Sequence, residues 1–169
     1  MKKFLILLLA ITFAIGLTAC SAEKEEAQPE KKETEEAAKP AANPKSVMYK
    51  FYMNLVRSIN EADAELNAYE GEEDPKAQAE LKAAASESAA AVAANVEGLE
   101  VPAELEDQKV DVEAALSDIA ESYKLKAEEL KKDAPAFDAA DEKFAQGEEK
   151  IGDVFESLDM NRPSLAKEL

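Results

Sequence analysis

From Lys45 onward the apolar residues recur at steps of three and four, and no stretch sustains the alternation that a half-buried strand requires. That spacing predicts four helices. The first carries Val47, Met48, Phe51, Tyr52, Leu55, Val56, Ile59, Ala62, Leu66 and Tyr69, with Ser46 as its expected N-cap and Gly71 as its stop. The second is capped by Asp74, has Pro75 at the first helical position, where a missing amide hydrogen costs nothing, and ends at Gly98. Its stripe of Leu81, Ala84, Ala85, Ser88, Ala91, Val92 and Val96 is mostly small, so a neighbouring helix can come close. The third starts around Pro102, ends near Asp133, and presents Leu105, Val112, Leu116, Ile119, Tyr123, Ala127 and Leu130 on one side. The fourth begins by Pro135 and uses Phe137, Ala140, Phe144, Ile151, Val154, Phe155 and Leu158. Gly147 and Gly152 fall inside it, and each costs about 1 kcal/mol relative to alanine, which argues against an unbroken helix there. Beyond it Pro163 breaks regular structure, and Leu165 is placed to plug one end of the domain.

The connections near Gly71, Gly98 and Ala134 are short, and short connections between long helices make antiparallel neighbours. The expectation is therefore an all-α domain over residues 45–169, an up-down-up-down four-helix bundle. A three-helix bundle with a loose alanine-rich helix and a coiled-coil oligomer are the alternatives, and no heptad seam is clean enough to favour the latter.

The first residues follow a different pattern. Met1, Lys2 and Lys3 precede an uncharged run from Phe4 to Ile15, and Gly16, Leu17, Thr18 and Ala19 lead to Cys20. A cationic start, an apolar run and small residues before a cleavage point make an export signal over residues 1–19. As a spanning anchor the run is short, since about 20 apolar residues are needed to cross the hydrocarbon core. Residues 21–44 contain no leucine, isoleucine, valine or aromatic side chain, and Pro29, Pro40 and Pro44 interrupt any helix. Such a stretch buries too little apolar surface to offset the entropy of ordering, so residues 20–44 read as a disordered acidic tether behind the cysteine. As a coil it would separate its ends by roughly 25 to 30 Å.

The quartet Leu17, Thr18, Ala19 and Cys20 resembles the lipobox of bacterial lipoproteins at every position. The resemblance covers the first twenty residues and implies diacylglycerol on the Cys20 sulfur, cleavage between Ala19 and Cys20, and a lipid-anchored extracytoplasmic protein. Two acyl chains hold a protein stably where one gives only reversible binding. In a host with two membranes, Ser21 after the cysteine would imply sorting to the outer one. The layout of lipobox, acidic tether and helical domain resembles small acidic surface lipoproteins of Bacillus-type bacteria, some of them described as cell-wall-binding. Past Cys20 no specific motif carries that resemblance, so no functional residue is transferred by it.

Composition narrows the chemistry. The chain has no histidine, no tryptophan and one cysteine, so a Ser-His-Asp or Cys-His site and zinc or copper sites built from imidazole or thiolate are excluded. Lys and Arg total 20 against 37 Asp and Glu. Loss of Lys2 and Lys3 with the leader leaves 18 cations against 37 acids, a net charge of -19. Nucleic acid is a poor partner for that charge, whereas cationic proteins, peptides and divalent ions are attracted by it.

Four groups of residues invite a chemical reading. The loop Glu70, Gly71, Glu72, Glu73 and Asp74 offers oxygens to calcium but lacks the spacing of an EF-hand. Glu65, Glu113, Glu121 and Glu128 invite comparison with di-iron bundles, which need Glu-x-x-His pairs that this chain cannot supply. They read better as solvated faces, and no pair of carboxylates is marked out as a glycosidase pair. Tyr49, Tyr52, Tyr69 and Tyr123 could meet a glycan or peptide, yet the helical phase puts the last three on or beside the core stripes. Arg57 falls off the stripe, and Arg162 is placed to pair with an acidic helix end. The expected function is a non-catalytic interaction module that binds an envelope protein or cell-wall polymer, without cofactor or metal. The alternative is a binder of a small ligand or divalent cation at the cell surface.

Overall fold

The computed structural model describes residues 43–169. The described residues are all helical, with no strand among them: α1 (Pro44–Asn60), α2 (Ala64–Glu70), α3 (Pro75–Glu97), α4 (Lys109–Glu129) and α5 (Asp138–Ser157). Short 3-10 segments cover Ala103–Gln108 and Leu165–Lys167. The leader, the Ala19–Cys20 cleavage site and the tether up to residue 42 lie outside the described residues, whereas Asn43 and Pro44, expected at the end of the tether, cap and open α1, where a proline is favoured.

The first predicted helix is two helices. Asn43, not Ser46, caps α1, its side chain accepting from the Lys45 amide at 3.0 Å with Pro44 at the first helical position. Asparagine caps as well as serine does, and the proline fixes the entry dihedral. The helix then stops at Asn60, and Asp63 precedes a new start. Asn and Asp compete for backbone hydrogen bonds and are weak interior helix formers. Ser88 of α3 holds the break: its hydroxyl accepts from the Leu66 amide at 3.2 Å and donates to the Ala62 carbonyl. Two backbone groups freed by the interruption thus find a partner.

Helix α3 follows its signals, with Asp74 accepting from the Lys76 and Ala77 amides at 2.9 and 3.0 Å and Gly98 closing its C-terminus. Its buried face is turned relative to expectation. Ala84 and Ala91 are exposed, while Ser86, Ala89 and Ala93 are buried beside Ala85, Ser88, Val92 and Val96. Alanine on every side leaves little amphipathic contrast, so packing decides the phase, and Ser86 donates to the Ala127 carbonyl of α4 at 2.8 Å.

The third predicted helix begins later than expected. Residues Ala103–Gln108 are 3-10, and Leu105 leaves helical geometry (φ -107, ψ 25) while its side chain is fully buried. Helix α4 then buries Val112, Leu116, Ile119, Tyr123 and Ala127 as the spacing predicts. Helix α5 starts at Asp138, not Pro135, and runs unbroken through both glycines. A Cβ on Gly147 would stand 2.5 Å from Ile119 Cγ1 and 3.0 Å from the Ala115 carbonyl oxygen, so this glycine permits the close approach of α4 and α5.

After α5 the chain reverses at Asp159, whose φ of 48 is left-handed, and runs on as a C-terminal strap. Leu165 is fully buried in the main core. Arg162 pairs with Asp153 at 2.7 Å and Glu156 at 3.0 Å and donates to the Glu149 carbonyl, the acidic-end pairing that its position predicts. Ser164 and the Ala166 amide bond Glu148 of α5, and Asn60 of α1 donates to the Glu168 carbonyl, so the strap is fastened to both helices.

Candidate functional site

The residues that sequence reasoning singles out do not converge. In the acidic loop, Glu70 pairs with Lys126 at 2.7 Å, Glu72 accepts from the Asp74 amide at 2.9 Å, and Asp74 caps α3. Those carboxylates are spent on structure, and among the described residues no group of three or more acidic side chains is arranged to hold a metal ion. Glu65, Glu113, Glu121 and Glu128 are all exposed, and Glu128 pairs with Lys131. Tyr52, Tyr69 and Tyr123 are buried, in edge-on contact with Phe155, Phe137 and Phe144 at 5.4, 6.3 and 6.3 Å between ring centres. Tyr49 is half exposed on α1, one turn from the exposed Met53, and Arg57 is exposed as expected.

Two buried carboxylates escape sequence reasoning. Asp118 of α4 receives hydrogen bonds from Lys150 and from Lys143 at 2.9 Å, both on α5, and these hold its carboxyl below the usual aspartate range. An aspartate so held stays ionised and serves as a clamp between helices. The signal lay in the spacing, since Asp118 sits beside Leu116 and Ile119 in the core stripe with basic residues seven apart on the facing helix.

Asp63, at the α1–α2 break, is the opposite case. Its side chain is buried and Oδ2 has no hydrogen-bond partner. Burial pushes the carboxyl up, the Asn67 side chain draws it partly back, and Glu70 adds to the rise. An acid whose folded pKa is raised favours folding at low pH and loses that contribution as pH climbs through its folded pKa. The stability of Asp63→Asn minus that of the parent should therefore increase from pH 4 to pH 7, reaching about 1 kcal/mol, the scale of a buried unmatched polar group. Urea unfolding across that range checks the sign, and a difference that stays flat with pH would remove Asp63 as its source.

No family model, curated protein or solved structure matches the chain.

What remains is the surface. Tyr52 and Tyr123 are pushed up chiefly by burial, Tyr52 to about 12 with Glu168 and Glu148 adding to it, so neither phenol ionises near neutral pH. The concave regions are open and lie on either side of the α3–α4 connection and along the α3–α4 groove. One, of about 320 Å³, is lined by Val96, Leu99, Leu116, Glu97, Glu113 and Ser117. Among the described residues no helix is long and apolar enough to cross a membrane.

Proposed function

We propose that the chain is a membrane-anchored extracytoplasmic lipoprotein whose helical domain is a non-catalytic interaction module of the cell envelope. The observation that carries this reading is the quartet Leu17, Thr18, Ala19 and Cys20 behind a cationic and then apolar leader. The lack of histidine, and of any cysteine beyond Cys20, supports the non-catalytic part, because it removes the commonest nucleophile and base pairings. The excess of carboxylates favours cationic partners over nucleic acid.

We read the domain as an up-down-up-down antiparallel bundle, with α1 and α2 together filling the first position. Reversed pairings support this: Lys82, early in α3, reaches the Lys132 carbonyl just past α4, and Ser86 meets Ala127. Lys126, late in α4, pairs with Asp141, early in α5, and Tyr123 meets Phe144. Asn95, late in α3, donates to the Ser58 carbonyl of α1, while Leu66 of α2 meets Ser88.

Growth of expressing cells with an alkyne-bearing palmitate tests the anchor. The full chain should take up label and sediment with membranes, and Cys20→Ala should lose the label. Equal labelling of the two forms, or none in the parent, overturns the lipoprotein reading.

A further inference from the structure

The connection from α3 to α4 and the start of α4 carry a run of carboxylates without ion-pair partners among the described residues. Glu100, Glu104, Glu106, Asp107, Asp111 and Glu113 fall between residues 100 and 113, with Lys109 the single cation in that stretch. None of these six is ion-paired among the described residues, although acids elsewhere are engaged by Lys126, Lys143, Lys150 and Arg162. Like charges held this close repel one another, and a cationic group set among them relieves that repulsion.

The same connection shapes two depressions in which apolar side chains and carboxylates share the lining, the second being the more apolar of the two. Leu99 joins the buried Val96 and Leu116 in the first, where Glu97 and Glu113 stand at the side. Pro102 joins Val47 and Phe51 in the second, of about 420 Å³, beside Glu100, Glu104 and Lys50. Val110 adds to this surface. It is 77% exposed, the most exposed large apolar side chain described, and its spacing places it on one face of α4 with Glu113 and Ser117.

We propose that this end of the domain docks a basic amphipathic segment of a protein partner. An apolar side chain of the segment seats in the Val96–Leu99–Leu116 depression, and its lysines or arginines lie along the carboxylates from Glu100 to Glu113. The inference rests on the interaction-module reading and names the partner's chemistry. Charge complementarity selects the occupant. An anionic polymer is repelled, and an uncharged apolar segment would strip water from the carboxylates without replacing it. Among the described residues no three carboxylates gather around one point, as a bare divalent ion would need. An amphipathic segment offers apolar anchors and cations at fixed spacing, as helix-in-groove recognition requires.

The test uses the full chain and three synthetic peptides of about 18 residues, the length of five helical turns. One contains Lys and Leu in amphipathic spacing, one has the same residues scrambled to lose the face, and one has every Leu replaced by Ser. Titration at near-physiological salt should show the amphipathic peptide binding at least tenfold more tightly than either other. Combining Glu100→Gln, Glu104→Gln and Glu113→Gln should weaken it about tenfold, and Val110→Ser should weaken it severalfold. Combining Glu65→Gln, Glu80→Gln and Glu87→Gln changes the net charge equally on other surfaces and should alter binding less than twofold. Equal weakening by the two triple variants, equal affinity for the Ser-substituted peptide, or no binding at all overturns the proposal. Crosslinking in envelope preparations separates this failure from that of the parent reading. A partner captured equally by the parent and the rim variant overturns this surface alone, and no partner for either also overturns the interaction module.

Discussion

Gly147→Ala should lower the stability of the domain by up to about 2 kcal/mol, although alanine is the better helix former. Helix propensity alone favours the change by about 1 kcal/mol. Against that stands the new Cβ, 2.5 Å from Ile119 Cγ1, 3.0 Å from the Ala115 carbonyl oxygen and 3.2 Å from the Ile119 amide nitrogen. Ile119 is fully buried and two of the three atoms are backbone, so α4 must move as a unit, and forced overpacking of this kind typically costs about 1 to 3 kcal/mol. Gly152 provides the control. There the three atoms nearest a Cβ belong to the Arg162 guanidinium, at 2.6 to 2.8 Å, the end of a flexible side chain that can shift at the expense of its surface pairs with Asp153 and Glu156. Gly152→Ala should be close to neutral, the gain in helix propensity offsetting the loosened pairs. Denaturant unfolding of both variants decides the matter, and equal effects would mean that helix α5 does not press on α4 as described.

Leu165→Ala should cost about 2 kcal/mol or more, a large effect for a residue of the C-terminal strap. Leu165 is fully buried although it lies beyond the last α-helix, and truncating a buried leucine typically costs about 2 to 5 kcal/mol. The lower part of that range applies because a terminal segment can relieve the cavity by detaching. Detachment is opposed by the Arg162 pairs with Asp153 and Glu156, by the Glu148 bonds to Ser164 and Ala166, and by Asn60. Hydrogen exchange of the amides from residue 165 to the end, measured beside the melting temperature, separates a cavity from a peeled strap. A loss below about 0.5 kcal/mol with unchanged exchange would show that Leu165 contributes no more than an average surface residue.

The periodic apolar residues made the helical class and much of the core readable. Phe51, Leu55 and Ile59, and then Val112, Leu116, Ile119 and Tyr123, are buried where a 3.6-residue repeat puts them. Capping chemistry placed the start of α3 to the residue, because Asp74 and Pro75 act locally. What the sequence hid depends on other helices. The break after Asn60 is held by Ser88, and the face of α3 is set by contacts that alanine does not advertise. Gly147 reads as a weak point until Ile119 is seen against it. Of the candidate surface, sequence reasoning singled out Glu113 alone, and as part of a solvated face. The depressions form only when Leu99 folds back beside Val96 and Leu116, and Val47 comes to rest near Pro102.

The start of α1 bears on how the protein can be handled and displayed. Val47 and Phe51 share a depression with Glu100, Pro102 and Glu104, and Lys45 reaches Asp159 just past the end of α5 at 3.7 Å. The chain thus enters the domain at the same end that carries the acid-flanked depressions. A support attached directly at Asn43 stands at that end, whereas a label on an exposed side chain of the α3–α4 groove, such as Ala83 or Ala90, leaves it open. Immobilisation at Asn43 and through α3 should accordingly report different access for the same ligand.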